Sequence, residues 1–177
     1  MARRGDVLHN AVTGHSYTIV ACAADTDGAL LTMDATFPPA SVRPPSHVHP
    51  LQAEHFTVLD GSLNVVLAGE QRHVRAGESF HVPAGVPRAM WNGGEAPARA
   101  QWETRPALHT EQFFETVVAL AAQGRVRASG VPHPLDLGLL MRRFDREMRV
   151  VSPPRPVQHL IFGVLAFVGW MTGRRLP

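Results

Sequence analysis

Two histidines and a glutamate lie close together near the middle of the sequence, and all three side-chain types bind metals. His47 and His49 are separated by one residue, and Glu54 follows five residues after His49. Side chains at i and i+2 of an extended strand point to the same face, so both imidazoles can face one interior. Two neutral imidazoles and one carboxylate can hold a divalent transition metal and leave positions open for a small ligand or oxygen.

Residues 15–105 carry the pattern of short β-strands. Runs rich in Val, Ile, Leu, Thr and Phe alternate with Gly, Pro and Asp turn signals, as in sandwiches and barrels. Asp60-Gly61, between two such runs, is a strong hairpin signal. The predicted strands cover residues 15–23, 28–37, 55–59, 62–67, 71–75, 78–82, 88–92 and 98–104. Many short antiparallel strands joined by tight turns predict a closed barrel or a double-sheet jelly roll.

The periodicity becomes helical after Pro106. Thr110 is expected to cap a helix over 111–123. A second helix is predicted over 135–148, although Gly138 lies inside it at a cost of up to about 1 kcal/mol relative to Ala. Its inward-facing side chains are predicted by spacing to be Leu137, Leu140, Met141, Phe144 and Met148. We therefore expect a β-barrel domain over 1–107 and a helical extension of two or three helices over 108–177.

The last segment, residues 157–173, is almost entirely apolar and is flanked by Arg155 and by Arg174-Arg175. It is shorter than the roughly 20 residues that a membrane-spanning helix needs. Two interpretations are open. The helix packs on the barrel or on a partner subunit, or it lies on a membrane surface with its basic flanks against lipid.

Composition excludes several classes of protein. Hydrophobic residues make up 45 % of the 177 residues and charged residues 18 %, which argues against disorder over the whole chain. All seventeen basic residues are arginine and the net charge is only +2; no clustered basic face or base-reading element indicates nucleic-acid binding. The single cysteine, Cys22, rules out a disulfide framework and is expected in the core. No signal peptide is apparent, so a cytoplasmic location is expected.

Two spaced motifs resemble the signature motifs of the cupin superfamily. The first reads His47-x-His49-x4-Glu54-x6-Gly61, and the second reads Gly77-x5-Pro83-x-Gly85-x2-Arg88-x3-Asn92. The resemblance covers about residues 30–105 and is similar to the small single-domain "cupin 2" proteins. It implies a jelly-roll β-barrel with a metal in its mouth, held by His47, His49 and Glu54. The metal would be Fe, Mn, Ni, Cu or Zn.

Residue 88 departs from the family pattern, because arginine stands where the family has its fourth ligand, a histidine. A guanidinium offers only donors and cannot bind a metal. At about 5 Å it would repel a divalent ion by roughly 6 to 7 kcal/mol at an effective dielectric constant near 20. Two states are open: a three-ligand metal centre with Arg88 turned toward an anionic substrate, or a metal-free site in which Arg88 pairs with Glu54. His81 is a further candidate as a replacement ligand.

Three functions are compatible with this pattern. The first is a metal-dependent oxygenase, quercetinase-like, acting on a small organic molecule, with Glu54 also able to act as a base if it leaves the metal. The second is a non-catalytic binding or sensing protein in which Arg88 grips an anion. The third is a metal-free isomerase or epimerase. Arg88, Phe56 and Met90 are the predicted substrate contacts. The resemblance also implies a homodimer, because cupins commonly pair through sheet edges, and an exposed β edge and the apolar C-terminal segment favour it.

Overall fold

Two antiparallel β-sheets face each other in the first two thirds of the chain. A computed structural model describes residues 2–177. The strands are β1 (Val7–His9), β2 (Ser16–Ala21), β3 (Leu31–Phe37), β4 (His47–Val48), β5 (Ala53–Asp60), β6 (Ser62–Leu67), β7 (Glu70–Arg75), β8 (Ser79–Val82), β9 (Arg88–Trp91), β10 (Ala98–Arg105) and β11 (Arg149–Val150). One sheet has the order β1-β2-β3-β10-β5-β8 and the other has the order β11-β4-β9-β6-β7.

Alternating burial along the strands builds the interior between the sheets. In β10 the side chains of Ala98, Ala100, Trp102 and Thr104 are buried, while their neighbours are half-buried or exposed. The hairpin from β5 to β6 turns at Gly61, whose φ is 69°. A β-carbon at this glycine would lie 3.1 Å from Ala98, so the turn needs glycine for both conformation and space. The predicted jelly roll is confirmed.

Three helices follow the strands: α1 (Thr110–Ala122), α2 (Pro134–Arg143) and α3 (Arg155–Met171). The prediction that Thr110 caps the first helix is wrong by one residue. His109 is the N-cap, and the Thr110 hydroxyl accepts a hydrogen bond from Gln52 Nε2 at 2.7 Å. The second helix is shorter than predicted and ends at Arg143, with Phe144 as its C-cap. The chain then turns toward the barrel, which a helix continued to 148 could not do.

A tight helix pair forms the body of the extension. A β-carbon on Gly138 of α2 would lie 2.5 Å from the β-carbon of Leu165 and 2.8 Å from the backbone nitrogen of Ala166, both on α3. The glycine that weakens α2 as an isolated helix therefore allows α3 to approach closely. On the other side of α2, Leu140 and Met141 are buried together with Phe144, as the spacing predicted.

The C-terminal extension also contains a short strand, β11, which pairs with a strand of the barrel. Arg149 and Val150 pair with Val48 and His47 of β4, and the Val151 amide donates to the Ser46 carbonyl at 3.0 Å. The segment 147–151, called the roof segment below, therefore adds an edge strand beside β4, the strand that carries the first histidine. This contact was not predicted, since a two-residue strand has no periodicity to recognise.

Much of α3 faces solvent. Its outward half carries large apolar side chains, including Leu160, Ile161, Val164, Phe167, Trp170 and Met171, each at least two fifths exposed. No helix within residues 2–177 has the length and apolar character required to cross a bilayer. The α3 helix therefore has one face packed on α2 and one uncovered apolar face.

Candidate functional site

Arg88 and Glu54 form a bidentate ion pair inside the barrel. Glu54 is the second residue of β5 and Arg88 the first of β9, so the pair joins the two sheets. Arg88 Nε donates to Glu54 Oε2 at 2.8 Å and Nη2 donates to Oε1 at 2.6 Å. Only 1 % of Glu54 and 3 % of Arg88 is exposed. Charge-assisted bonds in this planar geometry are the strong kind, and here they are shielded from water.

His49 completes this cluster as a neutral acceptor. Its Nε2 lies 2.9 Å from Arg88 Nη2, and since a guanidinium has no lone pair to offer, the imidazole nitrogen must accept. Its Nδ1 lies 3.4 Å from Gln52 Oε1, which can only accept. The proton of His49 is therefore on Nδ1. Gln52 is itself held by donating to the carbonyls of Pro106 and Ala107.

His47 lies beside this cluster without joining its hydrogen bonds. Its ring centre is 5.5 Å from that of His49, and its Nδ1 lies 2.9 Å from the Pro45 carbonyl. Because a carbonyl only accepts, Nδ1 carries the proton and Nε2 keeps a free lone pair. The roof segment leaves His47 9 % exposed and His49 7 % exposed.

Burial and the neighbouring charges together set the protonation states of His47, His49 and Glu54. Burial lowers the pKa of His49 to about 4, with Arg88 lowering it further and Glu54 acting in the opposite direction. Burial, Arg88 and His49 also place the pKa of His47 well below 6.5. Burial alone would raise the pKa of Glu54, but Arg88, His49 and a hydrogen bond from Trp102 together lower it. At neutral pH the site therefore holds one cation, one anion and two neutral imidazoles.

Aromatic rings enclose the guanidinium. Arg88 Cζ lies 5.0 Å from the ring centre of Trp102 and 5.5 Å from that of Phe56, distances at which a cation is attracted to a ring face. Trp102 Nε1 also donates to Glu54 Oε1 at 2.9 Å. Of the predicted substrate contacts, Phe56 thus lies beside Arg88, and Met90 is buried in the core cluster that also contains Phe56 and Trp102.

Two functional residues escaped the sequence analysis. Trp102 and Gln52 each hold a member of the cluster, Trp102 through Glu54 and Gln52 through His49. Trp102 lies on the inward register of β10, opposite Phe56, so the period-2 pattern could have indicated it. Gln52 is in a turn before β5, where no periodicity exists and only the hydrogen bonds of the folded chain reveal its role.

Two further histidines, one on β5 and one on β8, point away from the site. His55 and His81 face each other as register partners on β5 and β8, and both are exposed. The alternative in which His81 replaces the fourth ligand is wrong, because β8 places Phe80 and Val82, not His81, on the inner face.

The donor atoms do not fit a metal in this arrangement. Both Glu54 oxygens accept from Arg88, and Oε1 also accepts from Trp102. The Nε2 lone pair of His49 is directed at Arg88. Within the described range 2–177 no three His, Cys, Asp or Glu side chains are grouped so as to hold a metal ion. The sequence brought the right ligand types together, but Arg88 engages Glu54 and His49 and leaves only His47 of the three predicted ligands available.

Several polar atoms of the site remain unused. Arg88 bonds through Nε and Nη2, and Nη1 makes no hydrogen bond among residues 2–177. Thr104 is the register partner of Glu54 on β10. Its hydroxyl is buried and has no partner within the same range. Buried polar groups in folded proteins are nearly always paired with protein, water or ligand. The buried Thr104 hydroxyl, on the strand beside Glu54, is therefore a polar group that a ligand or water could satisfy.

The fold and the site together define a class of protein: a jelly-roll barrel with histidine and carboxylate side chains in its interior. A family model described as the cupin domain matches residues 33–104, a range that contains the whole cluster. The barrel part of the chain is therefore similar to the cupin domain over residues 33–104, in agreement with the resemblance carried by the two motifs. Comparison with curated proteins gave no match.

Solved structures support the fold. The cupin domain of Cnp3 from Schizosaccharomyces pombe aligns with a TM-score of 0.50 and 12 % identity, over 60 % of this chain and 72 % of that one. KdgF from Halomonas sp. aligns with a TM-score of 0.48 and 21 % identity, over 56 % and 86 %. A putative sugar phosphate isomerase from Acidithiobacillus ferrooxidans gives 0.47 and 14 %, over 53 % and 60 %. At 12 % identity, the alignment with the Cnp3 domain shows the fold alone and assigns no reaction.

Proposed function

We propose that the barrel binds a small organic molecule through a carboxylate or carbonyl oxygen, and that it does so without a transition metal. The observation that carries this proposal is the fork between Arg88 and Glu54 with its third bond to His49. It engages both Glu54 oxygens and the Nε2 lone pair of His49, which are two of the three ligands that a metal would need. It also leaves two N–H groups of Nη1 pointing away from the carboxylate.

A ligand that contains oxygen can form hydrogen bonds with the unused polar atoms of the site. The Nη1 hydrogens can donate to one ligand oxygen, and the Thr104 hydroxyl can donate to or accept from another group. His47 Nε2 can accept a ligand hydroxyl or amide hydrogen, since its proton is on the opposite nitrogen. The aromatic rings of Phe56 and Trp102 orient the guanidinium, so little side-chain order has to be gained on binding.

The quercetinase-like oxygenase interpretation would need a different arrangement. Glu54 and His49 would both have to leave Arg88, which would place an unpaired guanidinium in a buried site. Breaking such a pair costs about 3–5 kcal/mol, which the metal would have to offset against the repulsion from Arg88. We therefore favour the binding function over the oxygenase for this chain.

Metal analysis tests the metal-free part of the proposal. Protein purified without a histidine tag and then incubated with Fe, Mn, Ni, Cu or Zn salts should retain less than about a tenth of an equivalent after gel filtration. A near-stoichiometric content of any of these metals, lost in His49→Ala, would refute the metal-free site.

Ligand binding is tested by thermal shift with a panel of small carboxylates, including acetate, benzoate and succinate, followed by calorimetry on any hit. A ligand that uses the site should bind at least fivefold more weakly to Thr104→Val, since a lost hydrogen bond is worth about 1 kcal/mol. Thr57→Val is the matched control, because Thr57 pairs with Ser79 on the outside of β5. Equal affinity for a hit in both variants would remove the barrel interior as the binding site.

A further inference from the structure

The uncovered face of α3 has the composition of a membrane-contacting surface. Its exposed side chains are large and apolar, with Leu160 69 %, Phe167 62 % and Met171 64 % exposed. At 3.6 residues per turn these residues and their apolar neighbours cover about half of the helix circumference. Arg155, at the first position, is the only charged residue of α3. Contiguous apolar faces of this kind mark interaction sites.

The face is presented rigidly. The opposite half of α3 packs on α2, where Gly138 allows the helices to approach closely. The amide of Gln158 donates to the carbonyls of Val150 and Pro153, which fixes the start of α3 to the roof segment. The helix therefore cannot turn its apolar face inward without breaking these contacts.

Three arginines lie around the edge of this face. Arg155 and Arg175 are exposed near its two ends, and Arg175 Cζ is 5.9 Å from the ring centre of Trp170. Arg142 reaches across from α2 to Gly163, where Nη1 lies 3.3 Å from the position of a β-carbon. The ion pairs of the helical extension use other arginines.

This charge pattern distinguishes between two occupants. A symmetric dimer through α3 would bring the same surface of both copies together, so the edge arginines of one copy would lie near edge arginines of the other. The helix has no acidic residue to compensate for them. An anionic lipid surface offers both a hydrophobic layer for the apolar face and negative headgroups for the edge. Tryptophan and arginine beside each other are typical of the interfacial layer of a membrane.

We propose that α3 docks this barrel domain on an anionic membrane surface, lying in the interface with Leu160, Phe167 and Trp170 in the lipid and with Arg142, Arg155 and Arg175 at the headgroups. The helix lies on the bilayer and does not cross it. The proposal is independent of what the barrel binds.

Vesicle co-sedimentation tests the docking. The full chain should pellet with vesicles of phosphatidylcholine and phosphatidylglycerol, and much less with phosphatidylcholine alone. Leu160→Glu combined with Phe167→Glu should reduce the bound fraction at least tenfold. Val7→Glu combined with Val42→Glu adds the same charge at equally exposed sites of the β part and should bind as the wild type does.

The arginines are tested separately. Arg142→Gln combined with Arg175→Gln should weaken binding to the anionic vesicles by roughly twenty-five-fold, about fivefold for each arginine near the surface. Binding to neutral vesicles should not change. The Trp170 emission should shift to shorter wavelength on binding, and the shift should be absent in Trp170→Phe.

Two results would overturn the proposal. One is equal recovery of wild-type protein with and without anionic vesicles. The other is a stable dimer in sedimentation velocity that Leu160→Glu with Phe167→Glu converts to monomer, which would assign the face to a second copy of the chain.

Discussion

Replacing Arg88 by methionine should destabilise the protein strongly because it leaves a buried carboxylate without its cation. Glu54 is 1 % exposed and would lose both bonds of the fork, keeping only the one from Trp102. Breaking a buried ion pair by removing one partner costs about 3–5 kcal/mol. Methionine retains much of the apolar contact with the rings, so the loss reports mainly on the charge. Glu54→Gln should cost a similar amount by stranding the guanidinium.

A double variant tests whether Arg88 and Glu54 stabilise the protein as a pair. In Arg88→Met with Glu54→Gln no buried charge is left, and the new amide can still accept from Trp102. The free energy of unfolding in urea, measured for all four proteins, should therefore show a double-variant loss that is smaller than the sum of the single losses by about 2 kcal/mol or more. Identical slopes of unfolding free energy against urea concentration would show that all four proteins expose the same amount of surface on unfolding.

An exposed pair provides the control. Arg72 and Glu70 are 3.0 Å apart, but more than half of each side chain is exposed, so Arg72→Met should cost less than about 1 kcal/mol. If the effects of Arg88→Met and Glu54→Gln add to within about 0.5 kcal/mol, the two residues do not form the buried pair and the metal-free arrangement is wrong.

Three further predictions concern the site and the extension. Arg88→His should bind Zn²⁺ at least tenfold more tightly than the wild type in a calorimetric titration, because it frees the lone pairs of His49 and adds a ligand; unchanged affinity would mean that residue 88 does not control the site. Gly138→Ala should destabilise the chain by about 1–3 kcal/mol through overlap with Leu165, whereas Gly163→Ala, which meets only the flexible end of an arginine, should be neutral or stabilising; equal unfolding free energies would contradict the close helix contact. Because the pKa of His49 falls from 6.5 to about 4 on folding, the unfolded chain takes up a proton in this window and the folded chain does not. Stability is thus fully present above pH 6.5 and should fall by up to about 3 kcal/mol as the pH decreases to 4, with a shallower decline in His49→Gln.

The sequence predicted the barrel well because its strands obey simple rules. Inward and outward residues alternate, and turns such as that at Gly61 carry glycine where the backbone needs a positive φ. The inward positions of Glu54 and Phe56 follow from the same alternation. Leu140 and Phe144 were likewise identified as buried by helical spacing, although the helix that carries Leu140 ends before Phe144.

The missed features depend on contacts between distant segments. The roof formed by Arg149 and Val150 exists because β4 offers an open edge, and neither segment is long enough to show a pattern. The role of Gln52 depends on carbonyls more than fifty residues away in sequence. The choice between the two states of Arg88 also depended on the fold, since the sequence placed Arg88 and Glu54 near each other but could not supply the bond lengths.

The roof has a consequence for how the site is assembled during synthesis. Chains emerge from the ribosome from the N-terminus, so Glu54, Arg88 and Trp102 are all available before residues 147–151 appear. The ion pair can therefore form in a barrel that is still open beside His47 and His49. Closure comes last, when β11 adds to β4.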